Sequence, residues 1–522
     1  MTFKKNINQS RLINLNLHST HPEVNVWVDA FWDRHLKQLF QDHMSKRGPK
    51  PKAKPKAMFR VLFLNLYTTW LEDPDLCLSF PRGENYYQVN SRYNTLHVSK
   101  KIIGMADQLL AQNFIDQWVG SEAARKYSRI WPLNSLVTYF ETAEYAEFLI
   151  DNHTDRECIV LRGDVVEVDE DSEAVDESQA NKKANRPGEL EYEDKDVPFD
   201  IAASRQILKD YNDLLRRTHV DIGSLKKPVV TGAHYNRRLK RQETRRVSLR
   251  HDNKFVRRIF YRGDWALGGR YHGGWWQQIP SELRKNILIN DQYTVEVDFS
   301  GFHISLAYSL EGHQPPDDPY ELSVSIGGLD KKRQRKDVKL LALTAINAKD
   351  RGSAYSAFRD QRNRDQRTLQ PAQKIRYTDK LLEALLDAFL STNQQIAHYL
   401  CADKGVEMMN LDGEITTEII KHFTDKGVPI LTVHDSYIIK SSYQEELENL
   451  MQHTARAKTG NFDFKLKLDK LSTTKIQSFQ NQDRQFNAYQ AYKDVSESVI
   501  KTDEYKQRYQ RFQRYLDSHC RK

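Results

Sequence analysis

The most regular pattern in the chain is Tyr293-Thr-Val-Glu-Val-Asp-Phe-Ser300. Its apolar and polar residues alternate with a period of two, which predicts a β-strand with one buried face and with Asp298 near its end. Gly301 follows the strand, and residues 303–310 then show helical spacing. A carboxylate at a strand-to-helix junction is a common position for a divalent-metal ligand. Taken alone, however, the pattern favours the ordinary role of a helix N-cap.

A second apolar segment, residues 428–439, is interrupted by His434-Asp435-Ser436. This predicts a β-hairpin whose tight turn presents Asp435. A segment with helical spacing, from Ile415 to Phe423, comes before it. By itself, Asp435 could equally be a residue of an Asx-turn.

Between the two segments lies a cationic helix, predicted over residues 333–347. Arg335, Lys339, Leu343 and Asn347 are spaced by four, so their side chains form one stripe along the helix. Cations near the start of a helix oppose its macrodipole, and a bound anion such as a triphosphate would offset that cost. A solvated basic first turn before a buried helix is the simpler interpretation of this pattern alone.

The composition describes a polar chain of several domains. It has 522 residues, a formal net charge of +8 and four scattered cysteines. The cysteines form no CxxC pair, which argues against a zinc ribbon and a disulfide framework and favours a reducing, cytoplasmic location. We find no apolar run of membrane-spanning length and no secretory signal pattern after Met1, so we expect no membrane partner.

The order of these elements resembles motifs A, B and C of family A DNA polymerases and of single-subunit phage-type RNA polymerases. The resemblance covers roughly residues 263–440 and rests on five short matches. They are Asp298-Phe-Ser-Gly-Phe-His303 with DxSxxE, Arg335-x3-Lys339 with RxxxK, Val433-His434-Asp435-Ser436 with HDE or HDS, Gly269-Arg270 with Gln278-Ile279-Pro280 and Arg284 with TGR…QNIP…R, and Glu418-Ile-Ile-Lys421 with DIIK.

The resemblance implies an α+β fold with a right-hand polymerase-like palm, a small antiparallel sheet with helices, and reduced fingers. It implies template-directed extension of a nucleic-acid 3′ end with two Mg²⁺ ions, or Mn²⁺ in their place, held by Asp298 and Asp435. The partners would be a template–primer and nucleoside triphosphates, and the oligomeric state is left open. Replication of a phage, plasmid or other mobile element is the role usual for compact polymerases of this type.

The same resemblance assigns further residues to roles. The nucleotide would contact Arg335, Lys339, His303, Leu343 and Asn347, with Lys339 also protonating the leaving group, and the nucleic acid would contact Arg270, Gln278, Arg284 and His434. A template base could stack on Trp275-Trp276, although core packing is at least as good an interpretation of these two residues.

Three departures from the family pattern leave alternatives open. His303 stands where the DNA polymerases have a glutamate that helps to exclude the ribose 2′-hydroxyl, Leu343 replaces an aromatic residue, and Ser436 matches the RNA polymerases better. A single-subunit RNA polymerase or a primase therefore remains an alternative. A metal-dependent nuclease and a non-catalytic nucleic-acid-binding protein are further ones.

We predict five segments along the chain. They are a mostly helical N-terminal domain (1–163) with a basic Pro/Lys arm at 46–60, an acidic disordered loop (164–198), a basic thumb-like template-binding region (199–297), a palm (298–475) with the finger helix at 331–348, and a C-terminal helix (476–522). The arm could contact phosphates or be a plain linker. The cations between Arg237 and Arg262 could bind nucleic acid or form a solvated face.

Overall fold

The computed structural model describes residues 5–41, 53–83, 86–120, 126–143, 147–163, 188–236, 241–366, 369–370, 373–460, 462–470 and 500–519. The protein has a mixed α+β architecture in which helices pack around several small sheets. Its buried hydrophobic residues form two clusters, one in the N-terminal part and one around the sheet that carries Asp298.

The N-terminal part combines helices with a four-stranded sheet of order β1-β3-β5-β4. Its elements are β1 (Ser10–Leu12), β2 (Leu17–His18), α1 (Pro22–His35), α2 (Lys37–Gln41), α3 (Pro55–Glu72), β3 (Cys77–Phe80), α4 (Lys101–Ala111), β4 (Ile115–Trp118), β5 (Ser128–Pro132), α5 (Asn134–Phe140) and β6 (Asp151–Asn152). Helix α3 is the centre of this part, because its apolar residues are buried around almost the whole circumference. The sheet was not part of the sequence prediction, since its short strands lack a clear alternation.

The basic arm predicted at 46–60 lies partly outside the described residues, which resume at residue 53. Its last residues are the first turns of α3, where Arg60 donates to Asp29 of α1 at 2.7 and 2.8 Å. Lys56 pairs with the same carboxylate at 3.3 Å. These two cations therefore hold α3 against α1 and do not belong to an extended arm.

The remaining elements are β7 (Ile159–Leu161), α6 (Ile201–Arg216), β8 (Val220–Ile222), β9 (Val229–Asn236), β10 (Arg241–Ser248), β11 (Val256–Tyr261), β12 (Asp264–Gly273), α7 (Ser281–Arg284), β13 (Ile287–Ile289), β14 (Gln292–Phe299), α8 (Phe302–Leu310), α9 (Lys331–Ile346), α10 (Arg351–Asp365), α11 (Asp379–Thr392), α12 (Gly405–Asp425), β15 (Ile430–Val433), β16 (Ser436–Lys440), α13 (Gln444–Thr459), β17 (Leu466–Lys470) and α14 (Asp503–His519). Strands β9 and β10 form a separate hairpin, and β12, β11 and β7 form a three-stranded sheet.

The central sheet has the order β15-β16-β14-β13-β8, and β17 also pairs with β14. All the pairings of β14 are antiparallel, with β13 at its start and with β16 and β17 along most of its length. The boundary predicted between residues 297 and 298 cuts through β14. Strands β8 and β13, which precede that boundary, belong to the same sheet, so the sheet begins well before residue 298.

Helix α12 lies unusually close to β12. A Cβ atom on Gly413 would stand 2.0 Å from the carbonyl oxygen of Gly269, which no side chain allows. Glycine at 413 therefore permits direct contact between the helix and the strand backbone.

Trp275 and Trp276, which follow β12, are fully buried. The indole Nε1 of Trp276 donates to the carbonyl of Thr432 at 2.9 Å. Their side chains belong to the core, so the suggested stacking on a template base does not match the structure.

The acidic segment is not wholly an open loop. Residues 164–187 lie outside the described part, but Asp194 accepts from Arg92 at 3.2 Å and from Arg205 at 3.0 Å. Tyr192 donates its hydroxyl to the carbonyl of Ile159 at 3.1 Å. Tyr192 and Asp194 therefore anchor this part of the segment to the protein, although most of its side chains are exposed.

Several cations of the basic stretch after residue 237 are also paired with acids. Arg246 and Arg250 both donate to Glu72 at the end of α3, at 3.1 and 3.0 Å. Arg257 pairs with Glu189 at 3.2 Å. These contacts differ from the predicted nucleic-acid face, because each of these cations already has a carboxylate partner.

Helix α14 connects the central sheet with the N-terminal part. Arg508 donates to Asp221 of β8 at 2.7 Å, and both side chains are buried. Tyr505 donates to Asp291, beside β13, at 2.9 Å. Further along the helix, Phe512 and Tyr515 belong to the N-terminal hydrophobic cluster.

None of the helices in the described ranges combines the length and the apolar character needed to cross a membrane.

The contact between α12 and β12 predicts opposite effects for two substitutions of glycine by alanine within helices. Gly413→Ala should lower the free energy of unfolding by about 2–3 kcal/mol, because the new methyl group overlaps the backbone of Gly269. Gly104→Ala, in α4, meets nothing within 4 Å and should raise it by roughly 0.5–1 kcal/mol. Urea unfolding of both variants tests this, and a stabilised Gly413→Ala protein would contradict the packing described.

Candidate active site

The antiparallel pairing of β14 with β16 brings Asp298 and Asp435 together. Asp298 is in register with Ser436, the first residue of β16, and Asp435 is the residue just before it. The amide of Phe299 donates to the carbonyl of Asp435 at 3.2 Å. His434, with φ of +56°, makes the sharp turn between β15 and β16 that places Asp435 at the sheet end. The pattern of the two strands predicted both elements, and their pairing sets the two carboxylates side by side.

Asp298 does not cap the helix that follows it. The N-cap of α8 is Gly301, with φ of +66°, and no side chain caps that helix. The hydroxyl of Tyr320 lies 2.8 Å from where a Cβ atom of residue 301 would be. Glycine is therefore required at 301 both by the backbone conformation and by the space available. The simpler interpretation of Asp298, as a helix cap, is not what the structure shows.

Both carboxylates have a raised tendency to hold a proton. Burial, then the charges of Asp435 and Glu296, raise the pKa of Asp298 to about 7, against the opposing effect of Lys467 and Lys339. Burial, and then the charge of Asp412, raise the pKa of Asp435. Such a pair is stabilised in its ionised form by a cation between the two groups.

The donor set fits a hard divalent cation. Carboxylate oxygens are the ligands that Mg²⁺ and Mn²⁺ prefer, and Mg²⁺ usually takes one or two of them together with substrate phosphates and water. Within the described ranges, no further His, Cys, Asp or Glu completes a group of three ligand atoms within 4.8 Å around this pair. Of the described residues, Asp298 and Asp435 are therefore the two that would hold such a cation.

Glu296 is a third acid of this region, and its hydrogen bonds stabilise the strands that carry the carboxylate pair. It lies two residues before Asp298 on the same face of β14 and is buried. Arg284 donates to it through two nitrogens, at 2.9 and 3.0 Å, and the hydroxyl of Ser436 donates to it at 2.8 Å. Arg284, predicted to contact nucleic acid, is instead bound to Glu296, so its contact in the structure differs from the predicted one. Ser436 links the two strands that carry the aspartates.

A second charged group surrounds Arg270 of β12. Its guanidinium donates to the buried carboxylate of Asp412 in α12, and its Nη2 lies 2.8 Å from Nε2 of His303 in α8. Burial, and then the charge of Arg270, hold the pKa of His303 well below its ordinary value. His303 is therefore a neutral imidazole that accepts a hydrogen bond from Arg270.

Asp412 was missed in the sequence analysis, although a signal was present. Its position is i+3 from Met409 and i−3 from Ile415, so it interrupts the apolar face of an amphipathic helix. An acid at such a position is buried and needs a cation, and Arg270 provides it. One of its oxygens, Oδ1, has no hydrogen-bond partner among the described residues, and its charge contributes to the raised pKa of Asp435.

The stripe on α9 is present as predicted from the spacing. Asp330 caps the helix by accepting from the amide of Arg333 at 2.9 Å. The residues of the opposite side, including Val338 and Leu341, are buried, whereas Lys339 and Leu343 are half-buried and Arg335 and Asn347 are exposed. The stripe therefore lies on the side of α9 that faces away from its buried residues.

The four stripe residues have different surroundings. Lys339 lies close enough to Asp298 to oppose the rise in its pKa, and its Nζ is 5.7 Å from the ring centre of Tyr320. Arg335 forms an ion pair with Asp318. Asn347 ends the helix and donates to the carbonyl of Leu343 at 3.1 Å. The structure therefore brings Lys339 to the carboxylate pair and holds Arg335 on an acid of the preceding loop.

The two remaining predicted residues lie around the same region. The ring of His434 is 5.6 Å from that of His272, and its charge contributes to the lowered pKa of His303. Gln278 is half-buried, and its backbone amide donates to the carbonyl of Trp275 at 3.0 Å. Tyr320 was not predicted. It is buried between Gly301 and Lys339, and its hydroxyl has no hydrogen-bond partner among the described residues.

Comparisons with known proteins find similarity among solved structures alone. No protein-family model and no curated protein matches the chain. Among solved structures, it is similar to the POL domain of Pol1 from M. smegmatis, determined in complex with DNA primer-template and dNTP. The sequence identity is 12% and the TM-score is 0.24, over 39% of this chain and 45% of that one. This chain therefore covers less than half of that domain's length, and a likeness at this level does not establish a shared fold.

The electrostatics of the carboxylate pair predict a pH-dependent effect of Asp298→Asn in metal-free buffer. The folded-state pKa of Asp298, about 7, is raised above the usual value for an unfolded chain, so the stability that proton binding provides is present at acidic pH and lost as the pH rises through 7. The Asp298→Asn protein has no carboxyl group at this position, so it does not lose stability in this way as the pH rises. At pH 8 with EDTA the variant should exceed the wild type by on the order of 1–2 kcal/mol in the free energy of unfolding, and the difference should shrink towards pH 4.

Chemical unfolding at several pH values measures this difference. Asp425→Asn, an exposed aspartate of α12 that pairs with Lys421, is the matched control and should show no such growth with pH. A difference between Asp298→Asn and the wild type that is constant from pH 4 to pH 8 would contradict the described surroundings of Asp298.

Proposed function

We propose that the protein is a template-directed nucleotidyltransferase that extends a nucleic-acid 3′ end, with the character of a family A-like DNA polymerase. The observation that carries the proposal is the antiparallel juxtaposition of Asp298 and Asp435, with Lys339 of a separate helix in electrostatic range of Asp298. The sheet around β14 would be the palm, and α9 would be the helix of reduced fingers. Replication of a mobile element belongs to the same proposal.

Asp298 and Asp435 would hold the divalent cations of the reaction. When bound, Mg²⁺ or Mn²⁺ at such a pair supplies Lewis-acid chemistry that favours the ionised 3′-hydroxyl and neutralises the triphosphate. The raised pKa values of the two aspartates support this assignment, because a bound cation removes the repulsion that burial makes costly. Glu296, Arg284 and Ser436 would keep the two carboxylates in position.

The stripe of α9 would bind the triphosphate. Lys339 would neutralise the phosphate next to the carboxylate pair and could protonate the leaving pyrophosphate. Arg335 would exchange its partner, Asp318, for a phosphate oxygen, since a guanidinium binds either anion in the same two-pronged way. Leu343 and Asn347 would lie further along the stripe, towards the base of the incoming nucleotide.

Arg270, His303 and Asp412 would form the part of the site nearest the sugar and the primer end. Arg270 is fixed by two acceptors from two different helices, so its guanidinium is held in one orientation. A neutral His303 places an uncharged side chain where the resembling DNA polymerases have a glutamate. We infer that His303 contributes to the choice between deoxyribose and ribose.

A single-subunit RNA polymerase or a primase is the second candidate, and the absence of a glutamate at position 303 favours it. A nuclease would use the same carboxylate pair but has no need of the cationic stripe on α9. A non-catalytic nucleic-acid-binding protein has no need for two half-buried carboxylates that repel each other.

The proposed function predicts that Asp298→Asn and Asp435→Asn each lower template-dependent incorporation by at least about a thousandfold, because each removes a charge needed to hold the cations. The assay is primer extension with Mg²⁺ or Mn²⁺, with dNTPs and rNTPs tested separately and with or without primer. The isosteric change preserves the fold, which circular dichroism checks, and Asp425→Asn should keep full activity.

Extension by either isosteric variant at the wild-type rate would refute the proposal. Cleavage of the template–primer in the absence of nucleotides would favour the nuclease instead. Synthesis from rNTPs without a primer would favour the RNA polymerase or primase.

The position of His303 predicts that His303→Glu shifts the ratio of dNTP to rNTP incorporation by at least about tenfold in kcat/KM, since it places a second carboxylate beside Arg270 and the sugar. His303→Gln keeps a neutral acceptor for Arg270 and should change the ratio much less. Single-nucleotide incorporation with matched dNTP and rNTP pairs measures the ratio. The same ratio in the glutamate variant and in the wild type would remove His303 from sugar selection.

A further inference from the structure

Three potential metal ligands meet where α14 ends against the start of α1. The Nε2 atom of His519 lies 3.4 Å from Oε1 of Glu23, and Nδ1 of His21 lies 4.0 Å from the same oxygen. All three ligand atoms lie within 4.8 Å of one another, and among the residues that the structure describes this is the one such group of His, Cys, Asp and Glu. In a tetrahedral Zn²⁺ site, ligand atoms about 2.0–2.2 Å from the ion lie roughly 3.4 Å apart, so a small movement of side chains closes this group.

The orientation of His519 suits metal binding. Its Nδ1 lies 3.3 Å from the carbonyl oxygen of Tyr515, one turn earlier in α14. An N–H at Nδ1 donating to that carbonyl leaves Nε2 with its lone pair directed towards Glu23. Metal-binding histidines usually donate their second ring nitrogen to a carbonyl or carboxylate in this way, which fixes both tautomer and ring direction.

The other two ligands sit on rigid backbone. His21 is the N-cap residue of α1, and Glu23 lies in the first turn of that helix. The imidazole rings of His21 and His519 have centres 4.9 Å apart and are almost perpendicular, at 87°. The side chains of His21, Glu23 and His519 are 23%, 46% and 28% exposed, so the group is accessible to an ion.

Because of its position, a metal ion bound to this group would affect how α14 is held in the structure. Helix α14 is joined to the central sheet through Arg508 and Asp221, and to the N-terminal cluster through Phe512. His519 is its last described residue. A bond from His519 to an ion shared with α1 would close a very long loop of chain and would fix the helix at the end furthest from the sheet.

We propose that His21, Glu23 and His519 form a binding site for one Zn²⁺ ion, which fastens α14 to the N-terminal part of the protein. Two imidazoles and one carboxylate form a donor set that selects a transition metal over Mg²⁺ or Ca²⁺, in contrast to the oxygen-only pair of Asp298 and Asp435. Water would occupy the fourth position. The site is independent of the proposed nucleotidyl transfer.

The test is titration of the metal-free, full-length protein with Zn²⁺ alone, followed by calorimetry and thermal unfolding. We expect one equivalent to bind and to raise the Tm. His519→Ala, His21→Ala and Glu23→Gln should each weaken binding by at least about tenfold and remove the rise in Tm. Asp298→Asn should keep both, which separates this site from the carboxylate pair.

A matched control exists in His398→Ala. His398 also lies beside a carboxylate, Glu311, at 3.2 Å, but without a second histidine, so its loss should leave the binding of Zn²⁺ unchanged. Titration with Co²⁺ gives an independent readout, because tetrahedral coordination by nitrogen and oxygen produces visible absorption bands. The proposal is overturned if the wild type shows no Zn²⁺-dependent rise in Tm, or if His519→Ala and Glu23→Gln bind and respond like the wild type.

Discussion

The pairing of β14 with β16 is the constraint on which the rest of the site depends. It brings two acids from distant parts of the chain to one end of a buried sheet, where each raises the free energy of ionising the other. Without other contacts, the repulsion between the two carboxylates would favour separation of the strands that carry them. Here the hydrogen bond of Phe299, the serine bridge from Ser436 to Glu296 and the pairing of β17 on the other side of β14 keep the strands in register.

Around this sheet, a second buried charge fixes the neighbouring elements. Arg270 joins three of them, since it lies on β12 and bonds to Asp412 of α12 and to His303 of α8. A buried ion pair contributes little net stability, because desolvation of both charges offsets their attraction. The ion pair instead fixes the positions of the elements that it connects. The close contact between Gly413 and Gly269 brings α12 near enough for Asp412 to reach Arg270. The site is thus determined by one sheet pairing and one buried cation.

The sequence predicted the elements with strong periodicity and missed the contacts made over long distances. Period-two alternation identified β14, and spacing by four identified the stripe of α9 with Lys339 at its centre. Alternation shows which residues share a face of a strand but not what lies opposite them, so the bond of Arg284 to Glu296 was not predicted. The burial of Trp275 was one of two interpretations, and the sequence could not choose between them. The charge runs misled for the same reason, because carboxylates that pair with Arg246, Arg250 and Arg257 lie in distant parts of the chain.

The distribution of paired and accessible cations decides where an anionic substrate can dock. Net charge is a poor guide, since Arg246 and Arg250 are already bound to Glu72 and would have to leave a buried carboxylate to meet a phosphate. Lys339 differs from them, because its charge acts on Asp298, an acid of the proposed cation site. A triphosphate arriving with its own divalent ion satisfies Lys339 and the carboxylate pair together, whereas a simple anion would satisfy the lysine and increase the repulsion on Asp298. Under the proposed function, Lys339 and the carboxylate pair together would favour a metal-complexed phosphate over a bare anion.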